Sequence, residues 1–319
     1  MQVFGVLLSL LTFSIQIHAF PLLDRLFSRA DPLCNGYAQL CSRKYSDITF
    51  VGDHDSAFVG DLPSQNQIKS LSDQLGGGIR FLQSQVHKWD IPDLPGLGDV
   101  LAMCHTNCLL EFGGLVQDYL KTVKSFLDAN PREVVTLLLT NPDNAPMSDF
   151  DAVFKQVGLD KLAFIPSTSP NPLPMASWPT LGDMISQNQR LVVFIDYGAN
   201  EKLVPYLLDE FNYYWETPFD TTDPNFAQCK IDRANKLDSS GKSSMNIVNH
   251  FLDVEIPFTD ILIPDREAAG QTNAVSGDGS IGAQASLCKS IYGRYPNVVL
   301  IDFFGMGDAI GAQKLLNGL

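Results

Sequence analysis

The amino-acid sequence predicts a single α/β domain folded as a (β/α)8 barrel of the TIM type, and three observations carry this prediction. About eight short segments are almost continuously apolar, which is typical of strands covered on both faces. Segments with apolar residues at three- and four-residue steps alternate with them, as expected of successive βα units. The 319 residues are 45% hydrophobic, which is enough for one large core. A doubly wound open sheet is the alternative arrangement.

The first elements show how the predicted boundaries arise. Ile48–Val51 consists of β-branched and aromatic residues, which favour a strand, and Gly52 ends it. Asn66–Leu75 has apolar residues at helical spacing, and three consecutive glycines stop this predicted helix. Ile79–Val86 resumes as a strand. Trp89–Asp99 is rich in proline and glycine and is predicted to be a loop.

The rest of the chain repeats this alternation. Further strands are predicted where short apolar runs occur, at Val100–Met103, Val134–Thr140, Leu162–Ile165, Leu191–Ile195, Met245–Val248 and Asn297–Ile301. Further helices are predicted from apolar spacing at Leu115–Leu127, Phe150–Val157, Leu181–Gln187, Lys202–Tyr213 and Ile281–Tyr292. Pro166–Pro179 is a proline- and serine-rich loop, and Trp215–Lys242 is predicted to be irregular.

The first 19 residues predict export from the cell. Val3–Phe13 is nearly all apolar and Ala19 supplies a small residue for cleavage, although the usual positively charged start is missing. The apolar run is too short to span a bilayer comfortably. We therefore expect a signal peptide at residues 1–19, a lead-in segment at 20–45 and one barrel domain at 46–319, in a secreted protein.

The charge balance excludes some classes of partner. Asp and Glu outnumber Lys and Arg by 36 to 22, so the formal net charge is −14. A chain this acidic is not expected to bind nucleic acid, or to be drawn to strongly anionic membranes by bulk attraction. A small anionic substrate in a locally basic pocket stays possible.

Six cysteines predict three disulfides, since an even number in an exported chain favours full pairing. The sequence-local pairs are the economical choice, which gives Cys34 with Cys41, Cys104 with Cys108, and Cys229 with Cys288. A structural zinc site is the alternative. The ligand spacings do not match the usual zinc patterns.

Four histidines of the mature chain fall at or just after predicted strand ends, namely His54, His87, His105 and His250. Catalytic groups of a barrel gather at the C-terminal ends of its strands. Histidine suits proton transfer because its unperturbed pKa of about 6.5 lies near neutrality. Structural histidines that hydrogen-bond within loops are the alternative.

Four motifs in order along the chain carry a resemblance to a known family. They are Gly52-Asp53-His54-Asp55-Ser56, Gly78-Ile79-Arg80-Phe81-Leu82, Cys104-His105-Thr106 and Val299-Leu300-Ile301-Asp302-Phe303. Together they resemble the X-domain barrel of phosphatidylinositol-specific phospholipase C. The chain is more closely similar to the secreted fungal branch of phospholipase-C-like phosphodiesterases. The resemblance covers about Tyr45 to Ala309.

The resemblance implies a mechanism with two histidines. His54 corresponds to the base, which takes a proton from a hydroxyl neighbouring the phosphodiester, and His105 corresponds to the acid, which protonates the departing alcohol. Asp302 would orient His54, and Asp55 would pair with His105, each carboxylate fixing a tautomer. A helix cap or strand-end turn former is the alternative interpretation of Asp302.

The sequence departs from the family where the phosphate or a metal ion would be held. Bacterial relatives carry Asp-x-Arg after the second strand and calcium-dependent relatives carry Glu-x-Asp, whereas this chain reads Gln83-Ser84-Gln85. The amides of Gln83 and Gln85 can donate hydrogen bonds to a phosphate, but they supply neither a positive charge nor the ligands that calcium prefers. No metal ion or other cofactor is therefore expected.

Three further residues are candidates for substrate contact. Asp196 and Tyr197 follow a predicted strand, although Asp196 is anionic where bacterial relatives carry a cation. His250 ends another strand, and structural roles are the alternative for both His87 and His250.

These observations predict a secreted, metal-independent phosphoric diester hydrolase of the phospholipase C type. Its expected substrate is a phosphodiester such as a phosphoinositide or a glycosyl-phosphoinositide, met through transient contact with a membrane surface by a monomer. The alternative is a catalytically weak or inactive barrel that binds a phosphorylated lipid or glycan headgroup. A metal-dependent glycerophosphodiesterase or sphingomyelinase D relative would need a Glu/Asp trio beside the first histidine, and Gln83-Ser84-Gln85 argues against it.

Overall fold

Eight parallel strands form a curled sheet around an aromatic interior in the computed structural model, which describes residues 32–90, 100–234 and 240–319. The strands are β1 Phe50–Asp53, β2 Phe81–Trp89, β3 Val100–Cys104, β4 Phe112–Leu115, β5 Val135–Thr140, β6 Leu191–Ile195, β7 Leu207–Asp209, β8 Tyr214–Glu216, β9 Met245–Asn249, β10 Asp253–Glu255, β11 Leu262–Pro264 and β12 Val298–Ile301. The helices are α1 Leu71–Gly77, α2 Val116–Ala129, α3 Met147–Val157, α4 Leu181–Ser186, α5 Ala269–Thr272, α6 Ile281–Tyr292 and α7 Ala309–Asn317.

The parallel strands follow the order β7-β6-β5-β2-β1-β12-β9-β8. Strands β7 and β8 stand at the two ends of this order although they are neighbours in sequence, joined by a 3-10 turn at Glu210–Asn212. Within the described residues no ladder pairs β7 with β8, so the curled sheet has one open seam. The barrel predicted from the sequence is therefore confirmed as an incompletely closed barrel.

Two apolar layers hold the sheet in place. Alternate strand residues point inward and fill the barrel, among them Phe50, Phe81, Leu138, Phe194, Tyr214, Ile247 and Leu300. The intervening residues point outward and pack beneath the helices, among them Val51, Leu82, Leu137, Val193 and Val299. This is the period-two alternation of a strand that is buried on both faces.

The lead-in segment closes the N-terminal end of the barrel. Tyr45 is buried there, stacks on Trp178 with ring centroids 4.7 Å apart, and shares a 2.8 Å hydrogen bond with Thr136 Oγ1. The disulfide between Cys34 and Cys41 secures the segment just before it. Since this end is filled, the opening of the barrel lies at the C-terminal ends of the strands.

Strand β3 is where the predicted topology is wrong. Val100–Met103 was predicted as a barrel strand, but β3 runs antiparallel to Val86–Trp89, the part of β2 that extends beyond the parallel sheet. β4 then pairs antiparallel with β3. A parallel crossover needs a dozen or more residues, and only positions 90–99 separate β2 from β3. Most of the predicted loop Trp89–Asp99 lies outside the described residues.

Two other predicted elements are also corrected. Leu162–Ile165 contributes only an isolated bridge between Ala163 and Leu191. The predicted helix Lys202–Tyr213 instead contains strand β7, because Pro205 disfavours a helix interior and β7 pairs with β6. Strand β8 opens the stretch that was predicted to be irregular. The barrel thus has eight parallel strands, but two of the predicted eight are replaced by β7 and β8.

Three disulfides join Cys34 to Cys41, Cys104 to Cys108 and Cys229 to Cys288, which confirms the predicted pairing. Pro32–Leu319 forms one compact unit. The predicted signal at residues 1–19 lies outside the described residues, and the domain boundaries stay a prediction. No helix in the described ranges is long and apolar enough to cross a bilayer.

Candidate active site

Two adjoining cavities open at the C-terminal ends of the barrel strands, with volumes of about 230 Å³ and 260 Å³. They share four lining residues, which are His54, Gln85, Phe219 and Phe251. His105 lines one cavity, and Asp196 and Tyr197 line the other. The structure therefore brings most of the predicted site residues to one mouth of the barrel.

His54 lies directly after β1, and its ring is held on two sides. Nδ1 is 2.9 Å from Asp302 Oδ1, and the ring stacks on Phe251 at 3.7 Å with an interplanar angle of 3°. Because β1 and β12 are paired neighbours, Asp302 follows β12 at the same edge of the sheet. A carboxylate accepts the Nδ1 hydrogen, so Nε2 is the ring nitrogen of His54 that Asp302 leaves available.

The surroundings of His54 favour its charged form. Burial lowers the pKa of the imidazole, but the carboxylates of Asp55 and Asp302 outweigh it and raise the pKa from 6.5 to about 9. Asn66 Nδ2 donates to Asp302 Oδ2 at 3.1 Å and so steadies the orienting carboxylate. Sequence reasoning did not identify Asn66, which the chain brings back from the loop after β1.

His105 lies in a five-residue ring closed by the Cys104–Cys108 disulfide. Its Nδ1 is 2.9 Å from the carbonyl oxygen of Ser64, and its ring stacks on Phe58 with centroids 5.1 Å apart. A carbonyl only accepts, so Nδ1 carries a hydrogen and Nε2 is the ring nitrogen that Ser64 leaves available. A ring this small adds little chain-entropy stabilisation, and its consequence is the fixed placement of the imidazole.

Asp55 lies between the two histidines. Its Oδ2 is 3.4 Å from His54 Nε2 and 3.5 Å from His105 Nε2, and its side chain is fully buried. The resemblance implied that Asp55 pairs with His105, whereas the geometry places it almost equally close to both rings. The backbone of Asp55 has φ of +46°, a left-handed conformation uncommon for a non-glycine residue.

The two amides predicted as phosphate contacts also form hydrogen bonds to Asp55. Gln83 Oε1 accepts a hydrogen bond from the Asp55 amide at 2.7 Å. Gln85 Nε2 donates to Asp55 Oδ2 at 3.0 Å, and Gln85 Oε1 accepts from the Thr106 amide at 3.0 Å. Both side chains line the cavity that holds His54, and each also has a hydrogen bond within the protein.

The cavity beside Asp196 contains a cation that sequence reasoning missed. Arg233 Nη2 lies 2.9 Å from the Tyr197 hydroxyl and 3.4 Å from Asp196 Oδ2, and its Nη1 lies 3.1 Å from Glu216 Oε2. The guanidinium also lies over the Phe211 ring at 5.0 Å. No local pattern marks Arg233, because it comes from a segment without regular secondary structure.

Arg233 gives this cavity an unusual charge balance. Of the described residues that line the two cavities, it is the only Lys or Arg. Burial raises the pKa of Asp196 to about 6, although the Asn141 amide and Arg233 both favour the ionised carboxylate. The predicted contact at Asp196 thus becomes part of a paired charge cluster rather than an isolated anion.

The remaining histidines do not face these cavities. His250 is fully buried, and its Nδ1 and Nε2 lie 2.6 Å from Gln284 Oε1 and 2.9 Å from the Thr272 carbonyl oxygen. The predicted substrate contact at His250 is therefore not supported, since both ring nitrogens are engaged inside the fold. His87 lies on the extension of β2, where its Nδ1 contacts the Asp143 carboxylate at 3.1 Å.

Two additional acidic groups lie close enough to His54 to interact with its charge. Asp220 and Asp253 line the cavity that holds His105. Burial and the nearby Asp302 carboxylate raise the pKa of Asp253 to about 7. Within the described ranges, no three or more His, Cys, Asp or Glu side chains are grouped so that they could hold a metal ion.

Comparison with known proteins identifies a family model and relatives that this chain resembles. Residues 40–317 match the family model described as PI-PLC X 1. The chain is similar to PI-PLC X domain-containing protein 1 of Arthroderma benhamiae, with 48% identity over 314 residues that cover 98% of this chain and 96% of that protein. An uncharacterized secreted protein of the same fungus is 39% identical over 284 residues, which cover 88% of this chain and 62% of that protein.

Solved structures agree on the fold. Phosphatidylinositol-specific phospholipase C from Listeria monocytogenes aligns with a TM-score of 0.53 and 15% identity, covering 88% of this chain and 95% of that one. A mutant of the corresponding Staphylococcus aureus enzyme aligns with a TM-score of 0.53 and 13% identity, covering 86% and 94%. With the family match and the close fungal relative, these findings show that the chain belongs to the PI-PLC X domain family.

Proposed function

We propose that this protein is a secreted, metal-independent phosphodiesterase of the phospholipase C type, with His54 as general base and His105 as general acid. The observation that carries the proposal is that both Nε2 atoms approach the same oxygen, Asp55 Oδ2, at 3.4 Å and 3.5 Å. Two imidazoles that converge on one point beside a cavity are placed to act on the two sides of one phosphorus atom.

The proposed reaction uses a hydroxyl that neighbours the phosphodiester. His54 Nε2 accepts the hydroxyl proton while that oxygen attacks phosphorus, and the bond from phosphorus to the departing alcohol breaks. His105 Nε2 gives a proton to the departing oxygen, so one proton is taken up and one is released. The Asp302 carboxylate, 2.9 Å from His54 Nδ1, stabilises the imidazolium that forms.

The catalytically weak or inactive barrel is a second candidate, and one observation favours it. The Gln85 amide stands where relatives carry an arginine, and it is engaged with Asp55 and Thr106. A missing electrostatic clamp costs about 3–4 kcal/mol of transition-state stabilisation in enzymes where it has been removed. With a His54 pKa of about 9, roughly one molecule in a hundred has the neutral base at pH 7.

The cavity around Arg233 supports a polyol headgroup such as that of a phosphoinositide or glycosyl-phosphoinositide. Carboxylates at Asp196 and Glu216 can accept hydrogen bonds from hydroxyls, and Arg233 can donate them. Tyr197 offers an aromatic face at the same cavity. This arrangement suits a hydroxyl-rich ring better than an aliphatic alcohol.

Export from the cell is part of the proposal. Three disulfides suit an oxidising environment, and one relative is named a secreted protein. The apolar segment at residues 1–19 supplies the expected signal.

Exposed apolar residues near the cavity support transient contact with a membrane surface. Phe258 is fully exposed between β10 and β11, and Leu109 is 90% exposed just after the ring that holds His105. We expect Phe258→Asp to lower the affinity for phosphatidylcholine vesicles, measured by sedimentation, by about tenfold or more. The reason is that the exposed ring would be buried among the lipids in the membrane-bound state, and aspartate removes this apolar burial. Leu315→Asp on α7 is the matched control, since Leu315 is 59% exposed on another element. Equal loss in both variants would argue against a docking role for Phe258.

The proposed activity is tested directly with purified protein and phosphatidylinositol vesicles. We expect release of diacylglycerol at the same rate with excess chelator and with added calcium, because proton transfer by His54 and His105 requires no metal ion. Inhibition by chelator that calcium reverses would contradict metal independence. Absence of turnover on phosphoinositides, glycosyl-phosphoinositides and simple phosphodiesters, together with binding of a soluble inositol phosphate, would favour the second candidate.

A further inference from the structure

The side-chain amide of Gln85 joins the two halves of the candidate active site. Its nitrogen donates to Asp55 Oδ2 at 3.0 Å, next to His54, and its oxygen accepts from the Thr106 backbone amide at 3.0 Å, next to His105. Gln85 is the last residue of β2 that pairs with the parallel strand β5, so its backbone is anchored in the barrel. One side chain on a rigid strand therefore contacts both segments that carry the histidines.

The bond to Asp55 is important because that carboxylate has few other partners. In the described part of the chain, the Gln85 amide makes the only hydrogen bond of ordinary length to it. Asp55 Oδ1 is buried and has no hydrogen-bond partner, and the two histidine contacts of Oδ2 are longer, at 3.4 Å and 3.5 Å. Without Gln85 the carboxylate would be free to rotate toward one imidazole and leave the other.

The bond to Thr106 acts on the other imidazole. Thr106 lies inside the Cys104–Cys108 ring with φ of +63°, a conformation that a threonine adopts only when its surroundings hold it. The hydrogen bond to Gln85 Oε1 is such a restraint. Since His105 is the preceding residue, the orientation of this amide also sets the position of the His105 ring.

We propose that Gln85 is a positioning residue that sets His54 and His105 relative to each other through Asp55 and Thr106, and is not primarily a substrate ligand. The chemistry requires one donor and one acceptor on the same short side chain. An arginine has no acceptor for the Thr106 amide, and a glutamate has no donor for the Asp55 carboxylate. The neutral amide at this position therefore has a positioning role that neither arginine nor glutamate could fill. This inference rests on the phosphodiesterase activity proposed above.

Two variants separate the two contacts. Gln85→Met keeps the length of the side chain and removes both hydrogen bonds, whereas Gln85→Glu keeps an acceptor for Thr106 and places a second carboxylate against Asp55. Gln156→Met, at an exposed position of α3, is the control. Melting temperatures close to that of the wild type would show that each variant is folded.

We expect Gln85→Met to lower kcat by about 100-fold with KM within about threefold, because a small displacement of reacting groups has that cost. Hydrogen exchange of the Thr106 amide, followed by NMR, should be about tenfold faster in this variant. In Gln85→Glu the Thr106 amide should stay protected, while the pH of half-maximal kcat/KM should rise by about one unit as the added charge stabilises the His54 imidazolium.

Contrary results are equally distinct. A rise in KM with unchanged kcat would make Gln85 a substrate ligand, and unchanged Thr106 exchange in Gln85→Met would remove the proposed link to His105. The exchange measurement needs no turnover. If the wild type hydrolyses no phosphodiester while Thr106 exchange responds as expected, the proposed function fails but the coupling through Gln85 stands.

Discussion

Replacing either His54 or His105 by glutamine is expected to lower kcat on a phosphoinositide substrate by about 10²- to 10⁴-fold. Each variant removes the group that accepts or donates a proton, while the amide keeps most of the volume of the ring. KM should change little, because the headgroup cavity around Arg233 stays intact. Steady-state hydrolysis of phosphatidylinositol vesicles, with and without chelator, measures both constants.

The double variant is expected to lose little more than the worse of the two single variants. His54 and His105 act in one step, and residues that act as a unit are strongly non-additive. His87→Gln is the matched control, since His87 also follows a barrel strand but contacts Asp143 outside the two cavities. If His87→Gln were as inactive as the other variants, or if either His54→Gln or His105→Gln kept full activity, the assignment of base and acid would be incorrect.

The second large effect is expected at Asp302 and appears in the pH profile. For the wild type, kcat/KM should follow a bell-shaped pH profile, because the step needs a neutral base and a protonated general acid together. Its acidic limb should rise about tenfold per pH unit, because the pKa of His54 is raised to about 9 and only its neutral form accepts a proton. Asp302→Asn removes one of the carboxylates that raise this pKa. The rising limb should therefore move to lower pH.

The same variant should also be much slower at its optimum. An asparagine can offer its NH₂ group to His54 Nδ1, which favours the wrong tautomer, and we expect a loss of about 10²- to 10⁴-fold in the limiting rate. Measurement of kcat/KM between about pH 6 and pH 10 tests both parts. Asp143→Asn, which alters the partner of His87, is the control. A rising limb that stays in place in Asp302→Asn would show that His54 is not the titrating base.

The free energy of unfolding should decrease over the same pH range in which His54 loses its proton. The pKa of His54 in the folded protein lies above its ordinary value of 6.5, so its ion pairs stabilise the fold fully below about pH 6.5. This stabilisation is lost as the pH rises through about 9. The carboxylates around His54 therefore keep its imidazole protonated in the pH range where its ion pairs stabilise the fold most.

Much of the site could be predicted because the end of a strand can be recognised from a few neighbouring residues. His54 and Asp302 each follow a short apolar run, and parallel neighbours bring such ends together. The disulfide around His105 could be predicted from the spacing of Cys104 and Cys108. The strand leading to His105 was assigned the wrong direction, because an apolar run looks the same in a parallel strand and an antiparallel one.

Other features depend on contacts between distant segments. Arg233 comes from an irregular stretch, and only the fold shows that its guanidinium lies between Asp196 and Glu216. Gln83 and Gln85 are predicted phosphate contacts, and only the fold shows that both also form hydrogen bonds to Asp55. The buried position of His250 follows likewise from α5 and α6, whose residues occupy both ring nitrogens.

By itself the sequence determined the alternation of strands and helices, the disulfides around Cys34 and Cys104, and the strand-end positions of His54 and His105, since each depends on residues close together in the chain. The third disulfide, Cys229 with Cys288, could be predicted because these were the two cysteines left over. Only the tertiary structure shows that β7 and β8 do not pair and leave an open seam, and that the end of β2 pairs antiparallel with β3. It also shows that one oxygen of Asp55 lies between His54 and His105. Those outcomes depend on sheet curvature and on side-chain direction, and the physical forces that set them act between residues far apart in sequence.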